Sequence, residues 1–354
     1  MIRILTVDDS RVMELLLKAL FDKEPDMQVV GHAFNGLEAV EMAKKLKPDV
    51  ITMDIRMPVM DGFEATSKIM TDNPVPIIVF SAVVDDPKLK ESFKALEKGA
   101  AVIIEKPHNV SDPSFETLSQ DLIATARALA KSKNSKKPLN IAKVKPAPKS
   151  LAPKTRKGAY EVVGLGVSTG GPITLRTILS GLPKEFPLPV VVVQHMFDGF
   201  VVGFVDWIKK FTKLKVELAK HGGRLESGVI YIAPDNQHLM VARRADNLFI
   251  KLTALPKGKN FCPSVDVLFD SLANSCPGSA IGGLLTGMGD DGAKGLLAMH
   301  DSECHTFVEA KEDCVIDSMV SEAIDLNACN SIVPLNEIAT HILDLVCDIK
   351  GCGS

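Results

Sequence analysis

Short apolar runs alternate with stretches of helical period along the first third of the chain. IRILTV, MQVVGHA, VITM, PIIVFSA and AVIIEK are rich in β-branched residues, while RVMELLLKALFDK and GLEAVEMAKKL between them repeat apolar positions every three to four residues. About five such units in succession predict a parallel, doubly wound α/β sheet, with functional side chains at the C-terminal strand ends near the switch in strand order. The pattern resumes later in AYEVVGLGV, a helix near ITLRTILSGL, LPVVVVQHM and SAIGGLLTGM. Among these, GVIYIAP, HLMVARR and NLFIKLT read as an antiparallel β insert.

The two patterned regions are separated by KSKNSKKPLNIAKVKPAPKSLAPKTRK, residues 131–157, with ten Lys/Arg, no Asp or Glu and several prolines. Such a stretch cannot bury a core and reads as an extended linker. The expected organisation is therefore a first α/β domain over 1–125, a basic linker over 126–157 and a second α/β domain over 158–350. Apolar residues at 46% and charged residues at 24% suit two ordinary globular cores. Without the linker's cations the remainder is net acidic, which disfavours nucleic acid as a partner. MIRILTVDDS is too short in its apolar run for a signal peptide or a spanning helix, so a cytoplasmic location without membrane insertion is expected. The seven cysteines form no CxxC pair. Cys304 with His305 and His300 lacks the further regularly spaced ligand that a zinc site needs, so free thiols are expected.

Chemistry gathers at the ends of the apolar runs. Asp8 and Asp9 close the first and Asp54 the third, so a parallel sheet brings their carboxylates to one edge, a donor set that suits Mg²⁺. Asp54 can then act as a nucleophile and take a phosphoryl group. The hydroxyl of Ser81 and the ammonium of Lys106, at two further strand ends, can contact that group. In the second region Gly166, Ser168 and Gly170 fit GxSxG, a strand-to-helix turn that exposes a serine hydroxyl. A dinucleotide loop through Gly164, Gly166 and Gly170 is the rival, and no ribose-binding acid follows the next strand. That strand ends at His195, where a base can approach the serine. A third buried run ends in TGMGDDG, whose acidic pair can supply a carboxylate to orient the imidazole. His221, His238, His300, His305 and His341 lack such placement.

VDDS, MDIRMPVMDG, the Ser81 of FSA and EKP resemble the response-regulator receiver family. That resemblance implies a flavodoxin-like fold, Mg²⁺ on Asp8, Asp9 and Asp54, phosphorylation of Asp54, phosphoryl contacts from Ser81 and Lys106, and a cis peptide before Pro107. Receivers usually carry an aromatic where this chain has Ile103. GVSTGGP, VVQHM, YIAPDNQH, PSVDVLF and LLTGMGDDGAKG resemble the chemotaxis protein-glutamate methylesterase family. Membership implies that Ser168 is the nucleophile, His195 the base and Asp291 the orienting acid, with the Met288 amide at the oxyanion and Asp290 a solvated neighbour. It further implies hydrolysis of glutamate γ-methyl esters on chemoreceptor cytoplasmic helices with release of methanol, and deamidation of receptor glutamines. No cofactor is expected for the hydrolysis, and a chemotaxis histidine kinase is the expected phosphodonor, whose phosphoryl group relieves a block on the hydrolase. QHMFDGF stands where the family usually has QHMPPGF, and DSMV, residues 317–320, where it usually has a GMP segment. A phosphorylation-dependent adaptor without catalysis, and a hydrolase of other esters, are the alternatives.

Overall fold

The protein is described from a computed structural model over residues 1–81, 89–106, 115–132, 160–254 and 262–346. The chain divides into two compact units, Met1–Leu139 and Asn140–Ser354.

The first unit runs β1 (Ile2–Val7), α1 (Arg11–Phe21), β2 (Met27–Ala33), α2 (Gly36–Leu46), β3 (Val50–Met53), α3 (Gly62–Asp72), β4 (Ile77–Ser81), α4 (Leu89–Glu97), β5 (Val102–Glu105) and α5 (Phe115–Lys131). Its five strands are parallel in the order β2-β1-β3-β4-β5. The order reverses beside β1, so the ends of β1 and β3 flank the crevice where such sheets hold ligands. Polar starts fix the helices. Asn35 accepts from the Glu38 amide at 3.0 Å while the Glu38 carboxylate accepts from Phe34 N–H at 2.8 Å, a reciprocal cap that satisfies amides the helix cannot. Helix α5 continues past the boundary expected at 125, because Ala126 and Leu129 keep its apolar face fully buried.

The second unit runs β6 (Val162–Val167), α6 (Gly171–Ser180), β7 (Val190–Gln194), α7 (Phe200–Ile208), β8 (Lys215–Leu218), β9 (Val229–Ile232), β10 (Gln237–Arg244), β11 (Asn247–Ala254), α8 (Val265–Ser275), β12 (Ala280–Leu284), α9 (Ala293–Asp301), β13 (His305–Glu309), α10 (Ser318–Asp325), β14 (Ser331–Val333) and α11 (Ile338–Val346). Seven parallel strands follow the order β14-β13-β12-β6-β7-β9-β8. The expectation for GVIYIAP is corrected here: β9 joins this sheet in parallel between β7 and β8, and among the described strands only β10 and β11 pair antiparallel. The physical reason is burial on both faces, since all four residues of β9 are buried, as a strand covered by helices on each side requires. The β10–β11 hairpin instead lies on α8, where Ser271 Oγ accepts from Val241 N–H at 2.9 Å and Ser275 Oγ donates to Val241 C=O at 2.9 Å. Among the described residues no helix is long and apolar enough to cross a membrane.

Candidate active site and phosphoacceptor site

In the first unit Val7 pairs with Met53, so the residues that follow each of them stand side by side. Carboxylate oxygens of Asp8, Asp9 and Asp54 lie within 4.8 Å of one another, with Asp8 and Asp54 buried and Asp9 exposed. Lys106 follows β5 and its ammonium reaches Asp8 at 2.6 Å and Asp54 at 3.0 Å. The backbone adds donors, since Ile55 N–H bonds Asp54 Oδ1 at 2.8 Å and Ser10 N–H bonds Asp8 Oδ1 at 3.0 Å. Burial pushes the Asp54 carboxyl above its ordinary range; Lys106 opposes this and Asp8 adds to it. Three clustered carboxylates, two of them bonded to a half-buried lysine, therefore fit a small hard cation, whose charge would offset their mutual repulsion. Gly62 is required beside the site, because any Cβ there would overlap the Asp54 carbonyl oxygen. Ser81 ends β4, but its side chain, like the peptide before Pro107, lies outside the described residues. Ile103 sits half-buried on β5.

In the second unit β6 is flanked by β7 and β12, so the three strand ends expected to carry chemistry are neighbours. Ser168 follows β6, partly exposed, and its N–H bonds Thr286 C=O at 3.0 Å. His195 follows β7, and its N–H bonds Val167 C=O at 3.0 Å, which sets its backbone beside the residue that precedes Ser168. Gln194 ties the two ends together, its amide donating to the carbonyls of Ser168 at 2.9 Å and His195 at 2.8 Å. Asp291 follows the β12 turn and its Oδ2 meets His195 Nε2 at 2.8 Å.

That carboxylate is heavily supported by a segment to which sequence reasoning assigned no role. The start of α8 points at it: Ser264 Oγ–H donates to Oδ1 at 2.8 Å, Val265 N–H to Oδ2 at 2.7 Å and Asp266 N–H to Oδ1 at 3.1 Å. Burial alone would raise the Asp291 carboxyl, yet the bonds from His195, Val265 and Ser264 outweigh it and hold the group below the ordinary carboxylate range. An ionised Asp291 accepts, so Nε2 carries the proton of that bond. Asp266, next along, accepts from Gly292 N–H at 2.9 Å and Gly295 N–H at 2.7 Å and so fixes the turn behind Asp291. The sequence signal was a serine N-cap at the head of an apolar helical run, legible as a cap but silent about its target.

Met288 lies in the turn between β12 and α9, with Asp290 exposed beyond it. Both altered family segments border this region. Ser318 of DSMV accepts from Gly289 N–H at 3.0 Å and donates to Gly287 C=O at 3.0 Å, spanning the Met288 turn. In QHMFDGF, Asp198 accepts from Asn236 Nδ2 at 3.0 Å, while Gly199 N–H bonds Asp235 at 3.1 Å. Gly287 leaves no room for a side chain: a Cβ would stand 2.7 Å from Ser168 Cβ. The Cys304, His305 and His300 grouping does not assemble. His305 opens β13, at the opposite edge from the strand ends above, and meets His341 at 3.0 Å, whereas the Cys304 thiol turns to Cys276 C=O.

Comparison with known proteins shows the family to which the chain belongs. A family model described as CheB methylesterase matches residues 163–342, and one described as response regulator receiver domain matches residues 4–112. Protein-glutamate methylesterase/protein-glutamine glutaminase 1 of Syntrophus aciditrophicus is 38% identical over 350 residues, 98% of each chain. Protein-glutamate methylesterase/protein-glutamine glutaminase 4 of Geobacter metallireducens is 38% identical over 345 residues, covering 98% of this chain and 99% of its own. The crystal structure of the Thermotoga maritima CheB methylesterase catalytic domain matches with a TM-score of 0.52 at 34% identity, covering 53% of this chain and all of that one.

Proposed function

The chain belongs to the CheB methylesterase family with a response-regulator receiver domain, and on that premise we propose that Ser168, His195 and Asp291 hydrolyse glutamate γ-methyl esters on chemoreceptor cytoplasmic helices under control of phosphorylation at Asp54. The observation that carries the hydrolase is the 2.8 Å bond between His195 Nε2 and a carboxylate held ionised by the start of α8, one strand from Ser168. With Nε2 engaged, Nδ1 is the ring nitrogen that takes the serine proton. Ser168 Oγ attacks the ester carbonyl carbon as His195 takes its proton, and the tetrahedral oxyanion forms beside the Met288 amide. Collapse breaks the bond to methoxide, which leaves as methanol with the proton from His195. Water, deprotonated by His195, then attacks the acyl-serine, releasing the glutamate carboxylate and restoring Ser168. A glutamine side chain enters by the same intermediate and leaves ammonia. Each oxyanion donor is worth about 3 to 4 kcal/mol in such reactions, so the Met288 turn matters through its backbone.

In the receiver, Asp54 accepts the phosphoryl group from a chemotaxis histidine kinase, with Lys106 and Ser81 contacting its oxygens. Asp8, Asp9 and Asp54 would hold Mg²⁺, which when bound neutralises charge on the phosphoryl oxygens. Support comes from the clustered carboxylates and the lysine shared by two of them.

Methanol release from a methylated receptor fragment tests the reading, with and without a small phosphodonor. Wild type releases methanol and Ser168→Ala does not. If neither protein releases any while both bind the fragment, the chain is an adaptor. Turnover of small esters without turnover of the fragment would move the substrate elsewhere.

A further inference from the structure

Glu309 closes β13 and is wholly buried. Its Oε2 accepts from Thr286 N–H at 2.8 Å, and its Oε1 has no hydrogen-bond partner among the described residues. A buried acid with an unmatched oxygen calls for an explanation, and its one firm bond leads to the active site. Leu284 is the last residue of β12, so the Thr286 amide lies past the end of the strand and takes a side chain in place of a ladder partner.

Thr286 joins the two turns that the chemistry needs. Its carbonyl accepts from Ser168 N–H at 3.0 Å, and its hydroxyl donates to Thr169 C=O at 3.0 Å or Ile316 C=O at 3.1 Å. The same hydroxyl accepts from Val315 N–H at 3.0 Å and Ile316 N–H at 3.2 Å. Two residues on stands Met288.

We propose that Glu309 is a positioning residue of the hydrolase: through Thr286 it holds the nucleophile turn and the Met288 turn at the separation that the oxyanion requires. The proposal rests on the assignment of Ser168 and Met288 made above. Glu309 works as a neutral acid. Of the titratable groups that face it, Asp313 repels a charge on it, with Asp317 beyond Cys314, and the neutral Cys314 thiol favours that charge without bringing a positive one. Burial pushes its carboxyl up to about 8, and the Cys314 thiol is driven upward in the same way. Ionisation would put a negative charge beneath the turn that must accept the negative oxygen of the intermediate.

The test is steady-state methanol release by the full chain, with phosphodonor, from pH 6 to 9.5, against a methylated receptor fragment and with the Ser168→Ala rate subtracted. Glu309→Leu is expected to lower kcat at pH 7 at least tenfold with KM within twofold, and Glu309→Gln to return kcat to within threefold of wild type. Wild-type kcat should fall about tenfold between pH 8 and 9.5 as the acid ionises, while Glu309→Gln stays level over that span. If Glu309→Leu does not fold, the alkaline limb of Glu309→Gln decides alone. A wild type without that limb, a limb unchanged in Glu309→Gln, or a folded Glu309→Leu with wild-type kcat would each overturn the proposal. A Ser168→Ala protein with wild-type turnover would instead overturn the assignment beneath it.

Discussion

At the scale of single residues the Asp291 carboxylate is held by four hydrogen bonds, from His195, Ser264, Val265 and Asp266. In the proposed mechanism its bond to His195 orients the ring and stabilises the imidazolium, so Asp291→Asn should keep the fold and lower kcat by about 10³ to 10⁴, as loss of the orienting acid does in serine hydrolases. Ser264→Ala takes away one neutral donor to that carboxylate and the cap of α8, whose hydroxyl also accepts from Val267 N–H at 3.4 Å. Its expected cost is about 1 kcal/mol of stability and a loss of kcat much smaller than that of Asp291→Asn. Parallel melting curves and methanol assays on the two variants check that ordering. Glu309 makes a separate prediction about stability. Its folded carboxyl keeps a proton up to about pH 8, whereas the unfolded one releases it near the ordinary value of 4.5. Between those limits the native state binds more protons, so stability falls as pH rises and levels off above about 8. Relative to Glu309→Gln, the wild type should lose up to about 1.4 kcal/mol per pH unit across that window, read from urea unfolding at pH 5, 6, 7 and 8.

At the scale of elements, function sits where strands stop. Ser318 opens α10 and braces the Met288 turn from both sides, so a family departure in sequence acts here as a clamp. Ser318→Ala should cost roughly 1 kcal/mol of transition-state stabilisation, about fivefold in kcat, with little change in KM. An equal rise in KM would instead assign the side chain to substrate binding. Much of this was legible beforehand, because an apolar run in a βα repeat predicts both a buried strand and a polar group at its end. Asp8, Asp54, Ser168 and His195 are all readable in that way. The misreading of GVIYIAP has the same logic: it neighbours two true hairpin strands, yet its unbroken apolar core carries no alternation, the mark of a strand covered on both faces. Glu309 was invisible for the opposite reason. In FVEAKED it reads as the first of several solvated charges, and only the packing of β13 against the β12 turn shows that it is inside. The target of the Ser264 hydroxyl was equally hidden, since a cap is local but the Asp291 turn is distant in sequence.

At the scale of the molecule, two separately cored units share one chain and one signal. A receiver can act on a hydrolase only by making one of two populations of the whole chain more stable than the other. Moving such an equilibrium from 1:99 to 99:1 takes about 5.5 kcal/mol of differential stabilisation, which no single surface ion pair supplies. A phosphoryl group on Asp54 changes several terms together. It would add charge next to Asp8 and Asp9 and, in place of the Asp54 carboxylate charge it removes, would compete with Asp8 for Lys106, which bonds both carboxylates in the unmodified site. Asp54→Asn retains the size of the side chain and removes the nucleophile. The ratio of phosphodonor-stimulated to unstimulated methanol release should therefore fall to one in Asp54→Asn, while wild type shows a ratio well above one that depends on added Mg²⁺. Lys106→Ala separates capture of the phosphoryl group from transmission: it should still take up label from a radioactive phosphodonor, at a reduced rate, with a stimulation ratio smaller than its labelling accounts for. Equal stimulation of wild type and Asp54→Asn would remove the receiver from control of Ser168.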